Sequence, residues 1–374
     1  MKTWKFSART SLGSLFALAM LVGPHAVSAE TLRAASGSPP GHAAHDPMYT
    51  TFASTLEEVS GGAMNVQLMG TEVATLRGAI SNLQGGILDV GNLLTLYFPA
   101  EFPNNMVVSE LAVLGQSGQA MSGAVTEYLL SCEACLEEFT SKGLVYLGTG
   151  STSSYQLLSN KPVTSVEDLR GLRVRSGGAP FTRFAEAMGL VPVEITMDEE
   201  YEAVASGLID GLLNPPVNLL NGKLYEILKH VTELNIGTFH ASSGFTVRQE
   251  TWRRLSVEQR GQLMRAAIAG VAISAPGFDA MDAEALEHVE VHQPDAGLTE
   301  AVNAYRTKVL ADAAKMGVEQ YKVSESQAEI DRFARLVDKW NAIIAEIGPK
   351  DHKAMADRLY KEVFADIDLS TYGM

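Results

Sequence analysis

The chain has 374 residues and carries 44 acidic against 29 basic side chains, a formal charge of −15 at pH 7. Such a surface excludes general attraction to nucleic acid or anionic lipid. It also makes a well-placed cation informative, because an anionic ligand must be held by a specific site.

Lys2, Lys5 and Arg9 precede the apolar run LGSLFALAMLVG, and the small residues Val27 and Ala29 stand just before Glu30. This predicts a secretory signal peptide at residues 1–29, its core of roughly a dozen apolar residues being shorter than the about 20 that span a bilayer. About 345 residues follow, more than one small core usually holds, so two domains are expected. No later segment approaches 18 consecutive apolar residues, which predicts an exported, soluble mature protein.

TLRAA reads as a short strand running into the loop SGSPPGHAAHDP, where Asp46 and Pro47 offer an N-cap and a first helical residue. Phe52, Leu56 and Val59 then recur at helical spacing up to Gly61 and Gly62. AMNVQLMG alternates as a strand, VATLRGAISNLQ reads as a helix and ILDVGNLL as a buried strand. The order repeats after residue 160: VEDLRG, the strand LRVRS, the helix APFTRFAEAMG, the strand VPVEI, the helix DEEYEAVASG and the strand LIDGLLNPP. QGGILDVGNLL and ASGLIDGLLNPP share a helix-ending Gly, two aliphatics, an Asp and a further apolar run. Strands alternating with helices imply parallel sheets, and the repeat favours two similar α/β lobes. From about residue 250 the chain is mostly helical, with apolar residues at three- and four-residue steps. These helices are expected to brace both lobes.

In an open α/β sheet, ligands bind beyond the carboxyl ends of the strands. Arg175 ends the strand LRVRS there, Gly177 and Gly178 allow close backbone approach, and Pro180 opens the next helix. On these features alone a structural ion pair is the alternative to a ligand role. Arg173 and Arg170 read as solvated or structural.

The signal peptide, TSVEDLRGLRVRSGG, EEYEAVASGLIDGLLNPP and TWRRLSVEQRGQL together resemble the periplasmic solute-binding proteins of tripartite ATP-independent periplasmic (TRAP) transporters, of the dicarboxylate-binding type, over nearly the whole mature chain. The resemblance implies a two-lobed periplasmic binding protein fold with mixed or parallel sheets flanked by helices, a hinge, and closure over an organic acid. With the crossings expected near residues 152, 240 and 282, lobe I comprises residues 30–152 plus 241–282. Lobe II comprises 153–240 plus 283–374 with the C-terminal helices. The resemblance further implies that Arg175 forms the main salt bridge to the ligand carboxylate, that Asn214 lines the site, and that a small and a large integral membrane subunit are the partners. A periplasmic monomer without cofactor is expected.

Some acidic-sugar-binding members of that family carry a second arginine before SNKPV; here STSSYQLLSN has Tyr155 at about that place. Tyr155, Phe239 and His240 are candidates for an aromatic wall, with ordinary core packing as the alternative. Thr71, Glu72, Asn92 and Thr95, at strand ends of the first lobe, are weaker candidates, and the resemblance implies that His42 lies in a loop facing the cleft. The expected ligand is a monocarboxylate with an apolar or aromatic body. Alternatives are a C4-dicarboxylate or sugar acid on the same fold, the receptor of an ATP-driven importer, or an exported hydrolase.

His42 and His45 lie three apart beside Asp46, and His288 and His292 four apart, but the H-E-x-x-H pattern is absent. No metal site is expected. No G-x-S-x-G elbow, phosphate loop or dinucleotide fingerprint appears, so no catalytic residue is expected. Cys132 and Cys135 are the only cysteines. Three-residue spacing brings Cα atoms to about 5–6 Å, and a local disulfide at a helix start is expected in an exported protein.

Overall fold

The computed structural model describes residues 1–3, 29–115 and 117–374; the expected signal peptide falls almost wholly outside them. Among the described residues no helix is long and apolar enough to cross a membrane.

Among the described residues eleven strands form two sheets. In chain order they are β1 (Glu30–Ala35), β2 (Met64–Leu68), β3 (Val90–Leu93), β4 (Leu144–Tyr146), β5 (Gln156–Ser159), β6 (Arg173–Ser176), β7 (Val191–Glu194), β8 (Gly211–Asn214), β9 (His230–Thr232), β10 (Ser243–Arg248) and β11 (Glu290–His292). The first sheet has the order β2-β1-β3-β10-β4 and the second β11-β9-β5-β8-β6-β7. β1 is parallel to β2 and β3, and β6 is parallel to β7 and β8, while β10 runs antiparallel to both its neighbours. The chain therefore passes between sheets after β4, after β9, and again between β10 and β11.

The last passage is made by one helix, Val257–Leu286, whose 30 residues span about 45 Å. Ser256 and Gln259 close a capping box at its start. Along its length it packs on the helix Met48–Val59 of the first lobe and on the Pro216–Glu226 segment of the second. The helix Ala296–Tyr321 likewise runs from the second sheet's side to the helix Pro103–Ser109.

Three expectations are corrected. The C-terminal helices do not belong to the second lobe: Ser326–Ile347 packs on Gly118–Leu130, and Phe333, Val337, Trp340, Met355 and Leu359 share the first lobe's core. Gly123 makes room for the Trp340 ring, which a Cβ there would meet at 2.2 Å. Trp340 Nε1 also donates to Glu127 at 2.7 Å. VATLRGAISNLQ is helical only over Ala79–Gln84, because the Thr75 hydroxyl accepts from the Gly78 N–H at 3.2 Å and turns the chain first. Asp46 does not cap a helix either; its carboxylate accepts from the Gly41 N–H at 2.9 Å, and the helix starts at Met48.

Cys132 is the N-cap residue of the helix Glu133–Thr140 and is joined to Cys135 by a disulfide, with Cα atoms 5.2 Å apart.

Candidate ligand-binding site

The carboxyl ends of four parallel strands meet between the sheets. Ser38 follows β1, Asn92 and Leu94 end β3, Arg175 ends β6, and Asn214 and Pro215 end β8; all line one cavity of about 680 Å³ including its mouth. This is where the topology reverses on either side of β1 and β6, the place where open α/β sheets leave a crevice. Between these ends the wall is completed by Met48, Tyr97, Tyr155, Met197, Phe239 and Phe278.

Arg175 is 4% exposed. Its Nε donates to the Ile195 carbonyl at 3.2 Å and lies 3.3 Å from Glu200 Oε1, and its Nη1 donates to Asn214 Oδ1 at 2.5 Å. Tyr155 lies beside the same guanidinium and helps to hold its charge. The guanidinium can lie along the strand end only because Gly177 has no side chain; a Cβ there would meet Nη1 at 2.7 Å.

The support beneath this cation is Glu200, 1% exposed, at the start of the helix Glu200–Ala205. Asn214 Nδ2 donates to its Oε1 at 2.6 Å and Asn218 Nδ2 to its Oε2 at 3.0 Å. Burial pushes the Glu200 carboxyl above the usual range, opposed by Arg175 and the two asparagines. Burial works against the Arg175 charge as well, but Glu200, Tyr97 and Tyr155 hold its pKa above the ordinary value. A buried pair of this kind is costly to break, since removing one member strands the other.

Tyr155 lies face to face with Phe181, ring centroids 4.2 Å apart at 13°, so its ring is fixed at the wall. His42 stands edge-on to Phe278 and accepts from the Ala44 N–H through Nδ1 at 3.1 Å. Burial, and then His45, bring its pKa down to about 4, so the ring is neutral at pH 7. Arg175 is the one formal cation on the wall among the described residues.

Of the residues singled out from the sequence, the fold brings Arg175, Asn214, Tyr155, Phe239, His42 and Asn92 to this cavity. The rest lie elsewhere. His240 is buried on the opposite side of its strand-like segment, its Nε2 3.1 Å from the Val108 carbonyl and its ring 5.9 Å from Phe333. Adjacent residues of an extended segment face opposite ways, so Phe239 and His240 could not both reach the cleft. Thr95 is buried in the turn Thr95–Tyr97, from which Tyr97 reaches the wall instead. Thr71 and Glu72 follow β2, the edge strand of its sheet, and do not line the cavity. Arg173 pairs with Asp210 through Nη2 at 2.7 Å and Nε at 2.9 Å, outside the cleft.

Sequence reasoning missed Glu200, Asn218, Tyr97 and Met197. Glu200 is one of three consecutive acidic residues, and only one signal separates them: Glu199 stands three after Thr196 and closes a capping box with it, occupying that carboxylate.

A family model described as bacterial extracellular solute-binding protein, family 7, matches residues 34–299. The C4-dicarboxylate-binding periplasmic protein DctP of Rhodobacter capsulatus is 28% identical over 166 residues, 44% of this chain and 48% of that protein. The chain thus spans about half the length of this curated relative. A TRAP periplasmic solute-binding protein from Bordetella bronchiseptica, solved with (R)- and (S)-mandelate, superposes with a TM-score of 0.70 at 24% identity, covering 83% of this chain and 99% of that one. One from Rhodoferax ferrireducens, solved with copurified benzoate, gives 0.73 at 17% identity over 84% and 99%. At these identities the likeness speaks for the fold.

Proposed function

The chain belongs to bacterial extracellular solute-binding protein family 7, and on that premise we propose that it captures an organic monocarboxylate with an apolar or aromatic body and delivers it, unchanged, to the small and large membrane subunits of a TRAP transporter. The observation that carries this reading is the buried guanidinium of Arg175, the one cation among the described residues of a wall otherwise made of neutral polar groups, aliphatics and aromatic rings. One cation suits one carboxylate, through charge-assisted hydrogen bonds that are worth most in a water-poor cleft. Tyr97, Tyr155, Phe239 and Phe278 offer ring faces and edges to an apolar body.

A short dicarboxylate needs a second donor cluster of comparable strength, and the described lining holds no second cation. The mandelate and benzoate of the two solved proteins are each a single carboxylate on an aromatic body. Closure follows from contacts made only when both lobes meet the ligand: Arg175 and Asn214 from one, Ser38, His42 and Asn92 from the other. The expected setting is the periplasm, reached through the signal peptide read at residues 1–29.

A thermal-shift screen over organic acids tests the ligand class. A ligand at about 100 times its Kd stabilises by roughly 2.7 kcal/mol, and aromatic monoacids should give the largest shifts. Strong shifts from succinate-like diacids with none from monoacids would reverse the reading.

A further inference from the structure

We propose that His230, Glu290 and His292 form a binding site for a zinc-class divalent transition metal at the edge of the second sheet. β11 runs parallel to β9 with Glu290 opposite His230 and His292 opposite Thr232. Residues 290 and 292 share a face by strand alternation, so this register gathers two imidazoles and a carboxylate from two strands. One donor atom of each lies within 4.8 Å of the others.

The spacing fits tetrahedral coordination. His230 Nδ1 is 3.0 Å from His292 Nε2 and 3.6 Å from Glu290 Oε2, and His292 Nε2 is 3.9 Å from the same oxygen. Ligand atoms on a tetrahedral zinc, with bonds of about 2.0–2.1 Å, stand about 3.3–3.4 Å apart. The three separations bracket that value, and the backbone of two paired strands holds two of the donors directly opposite. Two imidazoles with one carboxylate select zinc, copper or nickel over calcium or magnesium, which prefer all-oxygen shells. The imidazole side chains are 16% and 20% exposed and Glu290 74%, so a metal is reached from solvent and its fourth position is left to water.

The site is separate from the ligand cavity, since none of the three residues lines it. His288, which the sequence spacing paired with His292, instead stacks on Tyr225 with ring centroids 4.3 Å apart. The true partner, His230, is distant in sequence and arrives only through strand pairing. β11 joins the ends of the helices Val257–Leu286 and Ala296–Tyr321, both of which reach the first lobe. A metal bridging β11 to β9 therefore anchors the strand on which both helices end.

The test is calorimetric titration of Zn²⁺ into the untagged, metal-free mature protein, with Co²⁺ as a spectroscopic probe of geometry. One equivalent of zinc should bind saturably, and bound Co²⁺ should show the intense visible absorption of a four-coordinate site. His230→Ala and His292→Ala should each weaken zinc binding by ~100-fold or more and Glu290→Gln by at least ~10-fold, since even partners outside the coordination sphere are worth 10–100-fold. His288→Ala should bind as wild type. Circular dichroism of each metal-free variant establishes that it is folded. Absence of saturable binding, octahedral-type weak cobalt bands, or equal losses in His288→Ala and His230→Ala would overturn the assignment.

Discussion

β1 and β6, each next to an edge strand of its sheet, carry the same device, and the two strands end differently. In β1, Arg33 gives its backbone N–H and its Nε to Asp89 at 3.0 and 3.1 Å, while the Asp89 N–H returns to the Arg33 carbonyl at 2.8 Å. In β6, Arg173 gives the same two groups to Asp210 at 3.0 and 2.9 Å, and the Asp210 N–H returns at 2.7 Å. Each arginine–aspartate clip fixes the register of a strand against its neighbour. Two residues further on, the first lobe has Ala35 and the second has Arg175. The shared part is scaffold and the difference lines the cavity, so an arginine's position along the strand, not its presence, separates a structural cation from a cavity-facing one.

The clips differ in burial. The Asp89 side chain is 3% exposed and also accepts from the Thr251 hydroxyl at 2.8 Å, whereas Asp210 is 22% exposed. The Asp89 carboxyl is held below the usual range by Arg33 and Thr251 against the cost of burial. Asp210 is held low chiefly by its bonds to Arg173.

The largest effect should come from separating Arg175 from its support. Glu200→Gln leaves a buried guanidinium without its counter-charge and should cost about 3–5 kcal/mol in urea unfolding of the ligand-free protein. A neutral result would mean that Glu200 does not hold Arg175 in place. Next, Asp89→Ala should destabilise by about 1–3 kcal/mol, because buried donors lose their acceptor. Asp210→Ala should cost less than its twin; the reverse order would break the burial argument.

Asp282, on the helix that spans the lobes, accepts from the Val217 N–H at 2.7 Å and is pushed up to about 7 by burial. A carboxyl whose folded pKa is raised binds its proton more tightly in the folded state. Its contribution is thus complete below about 4 and lost as pH rises through about 7. Unfolding midpoints from pH 5 to 8 should accordingly fall more steeply in the wild type than in Asp282→Asn. Identical slopes would remove this residue as the cause.

The smallest effect is expected at the first lobe's clip. Arg33→Ala should leave ligand affinity unchanged within about threefold, because neither Arg33 nor Asp89 lines the cavity.

Much of this was legible before the fold was known. The repeat around Asp89 and Asp210 announced two similar α/β halves, and the strand-end position of Arg175 with Gly177 and Gly178 announced the crevice. What was not legible depends on packing between distant segments. Ser326–Ile347 shows its apolar face in sequence, but nothing local says that Trp340 will fill the space above Gly123 and not a groove of the second lobe. Glu200 is hidden among Asp198 and Glu199 because helix register alone turns it inward. His230 and His292 meet only because β9 and β11 pair. His240 faces away for a simpler reason, that its neighbour Phe239 takes the cleft side of an extended segment.

Titration calorimetry with the best aromatic monocarboxylate on wild type, Arg175→Ala and Arg173→Ala tests the central claim most directly. Removing one partner of a buried charge pair costs about 2–5 kcal/mol, so Arg175→Ala should weaken binding by roughly 30-fold or more at about 1.4 kcal/mol per tenfold. Arg173→Ala, which loses only the clip to Asp210, should change it by less than about threefold. Near-wild-type affinity in Arg175→Ala, or equal losses at the two positions, would contradict the account.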